Sequence, residues 1–428
     1  MTWTFDFVTY LHLKTGDHWE VVALLGGAAN HTVRAKRVAA SLIYDGDVDR
    51  ANLSGDDYSD VLAARVSVVL KQAPAYLAKS PQIPFSPYRQ TIEAAALRLL
   101  HQSPGGQQLG LGQILSQNAL IAIPKLVLHD NAYNVLIQSD LGPHSNLYEV
   151  LVSSDTSPRL ASHLGKTIGL FLANLHDAFS KTSDTDKQFS DLVAAFANED
   201  AERVMLSVIG QATSFMRDAE VPDYEALGKL AASHWSSRDK RVFSQGDLWF
   251  GTLLVRGIAH DQSPDTVEHL PDVTIGICDW EFAGPNHPAA DIAQLGAYLH
   301  MLSLSPLNSA RRNDILMAFS AALYETYFAT ASAPYKTGEY LRSLLIMHGW
   351  EMANAAGWDS RQHMWCHCVG NGVRCSHIKA MVQEGALFLR SAASETISLE
   401  GLELSIPWVC FFRLSIPHVR LDDMATVA

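Results

Sequence analysis

Two short segments carry residue types suited to chemistry. The first is Ser244-Gln245-Gly246-Asp247-Leu248-Trp249-Phe250-Gly251-Thr252-Leu253-Leu254-Val255, and the second is Gly276-Ile277-Cys278-Asp279-Trp280-Glu281-Phe282-Ala283-Gly284. Each sets a carboxylate at a strand end and follows it with glycine and aromatic residues. Asp247 and Asp279 form the natural pair. Phosphoryl transfer needs one carboxylate near the attacking hydroxyl and others on Mg²⁺, because its catalysis is mostly positioning and charge stabilisation. A lone Gly-Asp dipeptide means nothing; two such segments, in this order, are informative.

These side chains need elements to hold them. Residues 19–25 form a β-rich run, Gly26-Gly27 breaks it, and extended character resumes at 32–35. The pattern predicts a hairpin whose tip allows close backbone approach. Residues 44–61, rich in Asp, Gly and Ser, read as a solvated loop. A third strand covers 66–71, and Pro81, Pro84 and Pro87 then keep the chain extended or turning. Ser86-Pro87 predicts a helix start, with a hydroxyl cap and proline at the first position. That helix runs to about residue 101, with Ile92, Ala96, Leu99 and Leu100 on one face. Strands follow at 125–128 and 133–138, and 139–143 reads as a hinge.

Beyond residue 145 the pattern turns helical. Leu160, Leu164, Ile168, Phe171 and Leu175 recur at helical spacing, and 186–238 continues in helices. Short strands return at 241–243, 253–255 and 273–278, with a polar insertion at 256–272. Helices resume over 289–327 and 339–355, and there is no internal repeat. The fold class is therefore α+β and bilobal. A small antiparallel-sheet lobe (1–140) precedes a larger, mainly helical lobe (141–400), with an extension at 401–428.

The two segments, in this lobe order, resemble the aminoglycoside phosphotransferase family, with its choline-kinase-like and methylthioribose-kinase-like members and protein-kinase-like fold. That family's catalytic loop typically reads His-Gly-Asp-Leu with Asn five positions after the Asp; here it reads Gln245-Gly246-Asp247-Leu248, then Thr252. Its metal segment reads Ile-Asp-(Trp or Phe)-Glu, then Gly, Pro and Asp; here the counterparts are Cys278-Asp279-Trp280-Glu281, Gly284, Pro288 and Asp291. The resemblance covers most of residues 20–355 and implies ATP and Mg²⁺ as cofactors and a small-molecule hydroxyl as acceptor. It implies Asp247 as catalytic base, and Asp279, Glu281 and Thr252 as metal ligands. Asp291 would accept hydrogen bonds from the catalytic-loop backbone, and Gln245 would support the loop. Lys71 would bind phosphate with Glu93 as its ion-pair partner, and the run Leu70-Lys71-Gln72-Ala73 followed by Tyr76 resembles the methylthioribose-kinase branch. Gly26, Gly27 and Asn30 would lie over the phosphates, and Ser139 to Leu141 would face adenine. His348-Gly349-Trp350-Glu351 falls where that family's acceptor wall would lie.

The residues support this independently. A lysine ammonium donates to phosphate oxygens as a compact charge, and a helix-borne carboxylate can hold it there. Glycines at a tip let backbone N–H groups approach an anion. Gln245 can donate and accept in place of histidine, and the Thr252 hydroxyl offers one oxygen. A second reading takes those two departures as the mark of a nucleotide-binding pseudokinase or scaffold. A protein kinase is disfavoured by the Gly-Asp-Leu-Trp loop and the missing Ala-Pro-Glu segment.

Composition excludes other classes. Against 45 Asp plus Glu there are 32 Lys plus Arg, a net charge of −13 that argues against nucleic-acid or anionic-membrane binding by bulk charge. No apolar run reaches the ~18 residues of a spanning helix, and no secretory leader is read at the start, so the expected setting is cytoplasmic. Five cysteines in 428 residues do not make a disulfide scaffold. Cys366, His367, Cys368, Cys375 and His377 cluster in sequence, but their one-residue spacings differ from the usual Cys-x₂₋₄-Cys zinc frame, so free thiols in a loop are expected. Leu404-Ser405-Ile406-Pro407 recurs as Leu414-Ser415-Ile416-Pro417 in the extension. Neither acceptor identity nor oligomeric state is encoded in any portable motif.

Overall fold

The computed structural model describes residues 5–24, 27, 29–38, 62, 65–102, 111–178, 185–237, 242–257, 273–332, 338–358, 361–368 and 370–394. Gly26, the whole of the predicted loop at 44–61, most of the insertion at 256–272 and the whole extension at 401–428 lie outside them. The architecture is α+β and bilobal, as the hydrophobic patterning predicts.

The first lobe opens with helix α1 (Phe7–Thr15), which the sequence reading passed over. Its cap signals were nevertheless present. The Asp6 side chain accepts from the Thr9 N–H at 3.0 Å, and Gly16 ends the helix at φ 72°. Strands β1 (Trp19–Ala23), β2 (His31–Arg37) and β3 (Ser67–Gln72) follow. A small hairpin, β4 (Tyr76–Leu77) with β5 (Ser80–Pro84), occupies the proline-bearing stretch. Proline is tolerated there because a two-stranded edge leaves N–H positions unpaired. Helix α2 (Arg89–His101) begins two residues after the expected Pro87 start, because Ser86, Pro87 and Tyr88 form a tighter turn first. The Ser86 hydroxyl still accepts from the Tyr88 N–H at 3.2 Å.

After α3 (Gly112–Gln117) and β6 (Ile121–Ala122) come β7 (Leu126–Asp130) and β8 (Val135–Ser139). The antiparallel sheet runs β1-β2-β3-β8-β7. Register decides which face each side chain takes. Lys71 lies opposite Thr32 on one side and Leu136 on the other. Val68, Leu70, Val135 and Ile137 pack with Phe7, Tyr10 and Leu11 of α1. Leu136 instead joins Ile92 and Leu97 of α2. Alternation therefore turns Lys71 toward α2.

Beyond β9 (Ser145–Asn146) the chain is mainly helical: α4 (Leu147–Val152), α5 (Pro158–Asp177), α6 (Thr185–Ala195), α7 (Glu199–Asp218) and α8 (Tyr224–Trp235). Strands β10 (Val242–Ser244), β11 (Leu253–Arg256), β12 (Thr274–Ile277) and β13 (Gly284–Asn286) carry the two chemical segments. Helices α9 (Ala290–Leu304), α10 (Ala310–Thr330), α11 (Gly338–Gly357) and α12 (Ser376–Ala393) complete the lobe. Gly165 and Gly169 of α5 let α10 cross so closely that a Cβ at either would strike the Phe319 or Leu323 carbonyl. A second sheet, β6-β12-β11-β9, joins the lobes, with β6 pairing parallel to β12. No described helix is long and apolar enough to cross a membrane.

Candidate active site

Lys71 and Glu93 are buried, at 3% and 0% exposure, and the Nζ lies 2.6 Å from Glu93 Oε1. The same Nζ reaches Asp279 Oδ1 at 2.5 Å, and the Asp279 side chain is 34% exposed. Burial works against the ammonium, but the Asp279 and Glu93 carboxylates outweigh it and hold the Lys71 pKa well above its ordinary value. One cation thus joins the sheet, helix α2 and the 278–284 segment.

The segment itself is bent to present Asp279. This residue adopts φ 58°, ψ 59°, a left-handed conformation that a non-glycine residue holds at a cost of about 1–3 kcal/mol. Gln245 braces it. The Gln245 Nε2 donates to the Cys278 carbonyl at 2.9 Å and the Asp279 carbonyl at 2.7 Å, while its Oε1 accepts from the Asp247 N–H at 2.8 Å. From below, Asp291 accepts from the Gln245 N–H and the Gly246 N–H, each at 3.0 Å. His176 Nε2 lies 3.2 Å from Asp291, and its Nδ1 lies 2.8 Å from the Tyr327 hydroxyl, so α5 and α10 anchor the loop. Gly246 must be glycine: its φ is 86°, and a Cβ would collide with the Phe282 carbonyl.

Asp247 projects from this frame, half-buried. Gln294 Nε2 of α9 donates to its Oδ1 at 2.7 Å. Burial raises its pKa, against the opposing pull of the Arg361 charge. Arg361 stacks on the Trp249 ring at 4.5 Å and stands 5.4 Å from the Tyr298 ring. Glu351 of α11, buried, is pushed up to about 8 by burial and by the nearby Asp247. Asn354 Nδ2 and Gln294 Nε2 each lie 3.5 Å from it. Neither Gln294 nor Arg361 carried a sequence signal, because both depend on helix packing far along the chain.

The remaining predicted residues fall as follows. Asn30 is buried and donates to Glu281, and its oxygen accepts from Arg89 Nε at 3.0 Å. Arg89, which the sequence reading did not single out, is fully buried. It also donates to the Phe85, Ser86, Ala29 and Pro74 carbonyls at 2.8–2.9 Å. Glu281 is pushed up to about 7 by burial, with Lys71 opposing and Glu93 and Asp279 adding to the rise. Gly27 has open space where a Cβ would stand. The Ser139 hydroxyl accepts from the Lys125 N–H at 2.8 Å, and Leu141 abuts Gly276 of β12. Beside them, Asp140 pairs with Arg34 at 2.8 Å and accepts from Ser67 at 2.6 Å. The Thr252 hydroxyl, fully buried, donates to the Trp249 carbonyl at 2.9 Å and accepts from the Trp249 N–H at 3.2 Å. It closes the 247–252 turn. The structure thus brings Lys71, Glu93, Asp279, Glu281 and Asn30 into one network and frames Asp247 through Gln245.

No family model matches the chain. Over 229 residues it is 24% identical to a 4-hydroxytryptamine kinase from Psilocybe cyanescens, a stretch covering 53% of this chain and 58% of that protein. The chain thus matches less than two thirds of that relative's length. Among solved structures, an ethanolamine kinase from Plasmodium vivax aligns with a TM-score of 0.42 and 12% identity, over 88% of this chain and 84% of that one.

Proposed function

We propose that the chain is an ATP-dependent phosphotransferase that moves the γ-phosphate to a hydroxyl of a small molecule. The observation that supports it most is the Lys71 ammonium held between Glu93 and the half-exposed Asp279, on the same braced frame as Asp247. The 24% identity to a 4-hydroxytryptamine kinase is consistent with this class.

The residues suit Mg²⁺ and ATP. Asp279 and Glu281 offer oxygen donors, the ligand type a hard cation prefers. Burial is the main cause of the raised Glu281, the Glu93 and Asp279 charges add to it, and a bound cation would oppose the rise. When bound, the Mg²⁺–nucleotide supplies the phosphoryl group and neutralises charge on it. Lys71 would donate to phosphate oxygens, with Glu93 fixing its position. The glycine tip at 26–27 would cover the phosphates, Asn30 would tie that tip to Glu281, and the 139–141 backbone would face adenine. Asp247 would orient the acceptor hydroxyl and take its proton, a task its raised pKa favours. Thr252 and Asp291 would maintain the loop. Trp249, Glu351 and Arg361 would form the acceptor wall.

The alternative of a nucleotide-binding protein without turnover rested on Gln245 and Thr252. Both side chains keep the loop closed and braced through their own hydrogen bonds, which favours the active reading. The test is ADP release from Mg²⁺·ATP with a panel of hydroxylated amines and sugars, including 4-hydroxytryptamine, ethanolamine, choline, methylthioribose and aminoglycosides. Acceptor-dependent release that Asp247→Asn abolishes is expected. Absence of release with every acceptor, together with no thermal shift on adding Mg²⁺·ATP, would overturn the proposal.

A further inference from the structure

The loop between α11 and α12 gathers three thiols that sequence spacing had not predicted to meet. Cys366, Cys368 and Cys375 are free cysteines. Their sulfur atoms all lie within 4.8 Å of one another, and Cys366 and Cys375 approach to 3.4 Å. Cys366 and Cys375 are buried and Cys368 is half-buried. They are free thiols in a loop, as expected, and they stand together because the chain reverses between the two halves of the set. Gly370 and Gly372 take φ values of 82° and 51° there. The buried Gln362 clasps the reversal, its Oε1 accepting from the Gly370 N–H at 3.2 Å and the Gly372 N–H at 3.3 Å.

Three features make this a built site. The sulfurs have hydrogen-bond donors: the Cys368 N–H points at Cys366 Sγ at 3.3 Å, and the Ile378 and His377 N–H groups serve Cys375. The loop is fixed at both sides: before it the Cys366 N–H donates to the Gln362 carbonyl at 2.8 Å and the Trp365 carbonyl accepts from Ser305 at 2.8 Å, and after it the Cys375 carbonyl accepts from the Lys379 N–H at 2.9 Å. Tetrahedral coordination at a zinc–sulfur distance of ~2.3 Å sets sulfurs ~3.8 Å apart, so the cluster needs adjustments of about 1 Å or less.

We propose that Cys366, Cys368 and Cys375 bind one Zn²⁺ through three thiolates, leaving the fourth position to solvent. The soft sulfur set selects against Mg²⁺ and so stays chemically separate from the oxygen donors Asp279 and Glu281. Each thiol that ligates releases its proton to solvent. The cation staples the loop whose other end carries Arg361 against Trp249.

The test uses the full chain without a histidine tag, reduced with a phosphine, stripped by chelator and titrated with Co²⁺ as a spectroscopic stand-in. A thiolate-to-cobalt charge-transfer band saturating at one equivalent and displaced by Zn²⁺ is expected. Cys368→Ser, at the half-buried position, should weaken binding at least tenfold, and Cys410→Ser should leave it unchanged. Because variants at buried Cys366 and Cys375 can misfold, protection from alkylation is read on the unmutated chain. Zn²⁺ should slow modification of all three cysteines. No band at one equivalent, a band unaffected by Cys368→Ser, or a Cys366–Cys375 disulfide that forms in preference to metal loading would each overturn the proposal.

Discussion

Gln245 holds Asp279 by its carbonyl at 2.7 Å and the Asp247 N–H at 2.8 Å, so one amide fixes the spacing of two carboxylates in the loops that follow different strands. Substituting Gln245→Ala removes both and leaves the part-buried Cys278 and Asp279 carbonyls unpaired by the side chain, at a cost of about 1 kcal/mol. Urea unfolding should register that loss. The thermal shift produced by Mg²⁺·ATP should shrink as well, because Asp279 would no longer be held in its left-handed conformation.

Lys71 is the shared cation of Glu93 and Asp279. Lys71→Met leaves Glu93 buried without its partner, and breaking a buried pair in this way costs about 3–5 kcal/mol. The double variant Lys71→Met/Glu93→Gln should recover a large part of that stability while remaining inactive. Equal stability of the single and double variants would show that the pair is not coupled.

Asp247 and Asp279 should separate chemistry from binding. Asp247→Asn should lower kcat on the order of 10²–10⁴-fold, the range typical of a lost general base, with the Mg²⁺·ATP thermal shift intact. Asp279→Asn should abolish that shift. Calorimetric titration of each variant with Mg²⁺·ATP decides between these outcomes.

Glu351 gives stability a pH dependence. In the folded chain its carboxyl is raised to about 8, whereas the unfolded chain releases the proton near the ordinary value of ~4.5. Between these values the folded state binds more protons, so stability falls as pH rises, by up to about 1.4 kcal/mol per unit. Glu351→Gln should flatten this slope between pH 6 and 8 in thermal melts.

The β-rich run at 66–71 and the apolar face of the helix expected from Ser86-Pro87 to about residue 101 made the first lobe legible, while the pairing of Lys71 with Glu93 was implied by the family resemblance alone. Helix α1 escaped because its apolar residues make no clear stripe, although Asp6 and Gly16 marked its ends. Arg89 looked like an ordinary helix residue; only its convergence on surrounding backbone carbonyls reveals it as a clip. Gln294 and Arg361 meet Asp247 across long sequence separations that no local pattern encodes, whereas Glu351 fell within the segment that the family resemblance set at the acceptor wall. The three cysteines show the same limit at short range, where a glycine-borne reversal overrides linear spacing.

The parallel pairing of β6 with β12 ties an early part of the chain to a late one. Residues 121–122 precede β7 and β8 of the first sheet, yet they form an edge of the second. Cutting the polypeptide after residue 140 and expressing the later half alone would therefore strip an edge strand from its sheet.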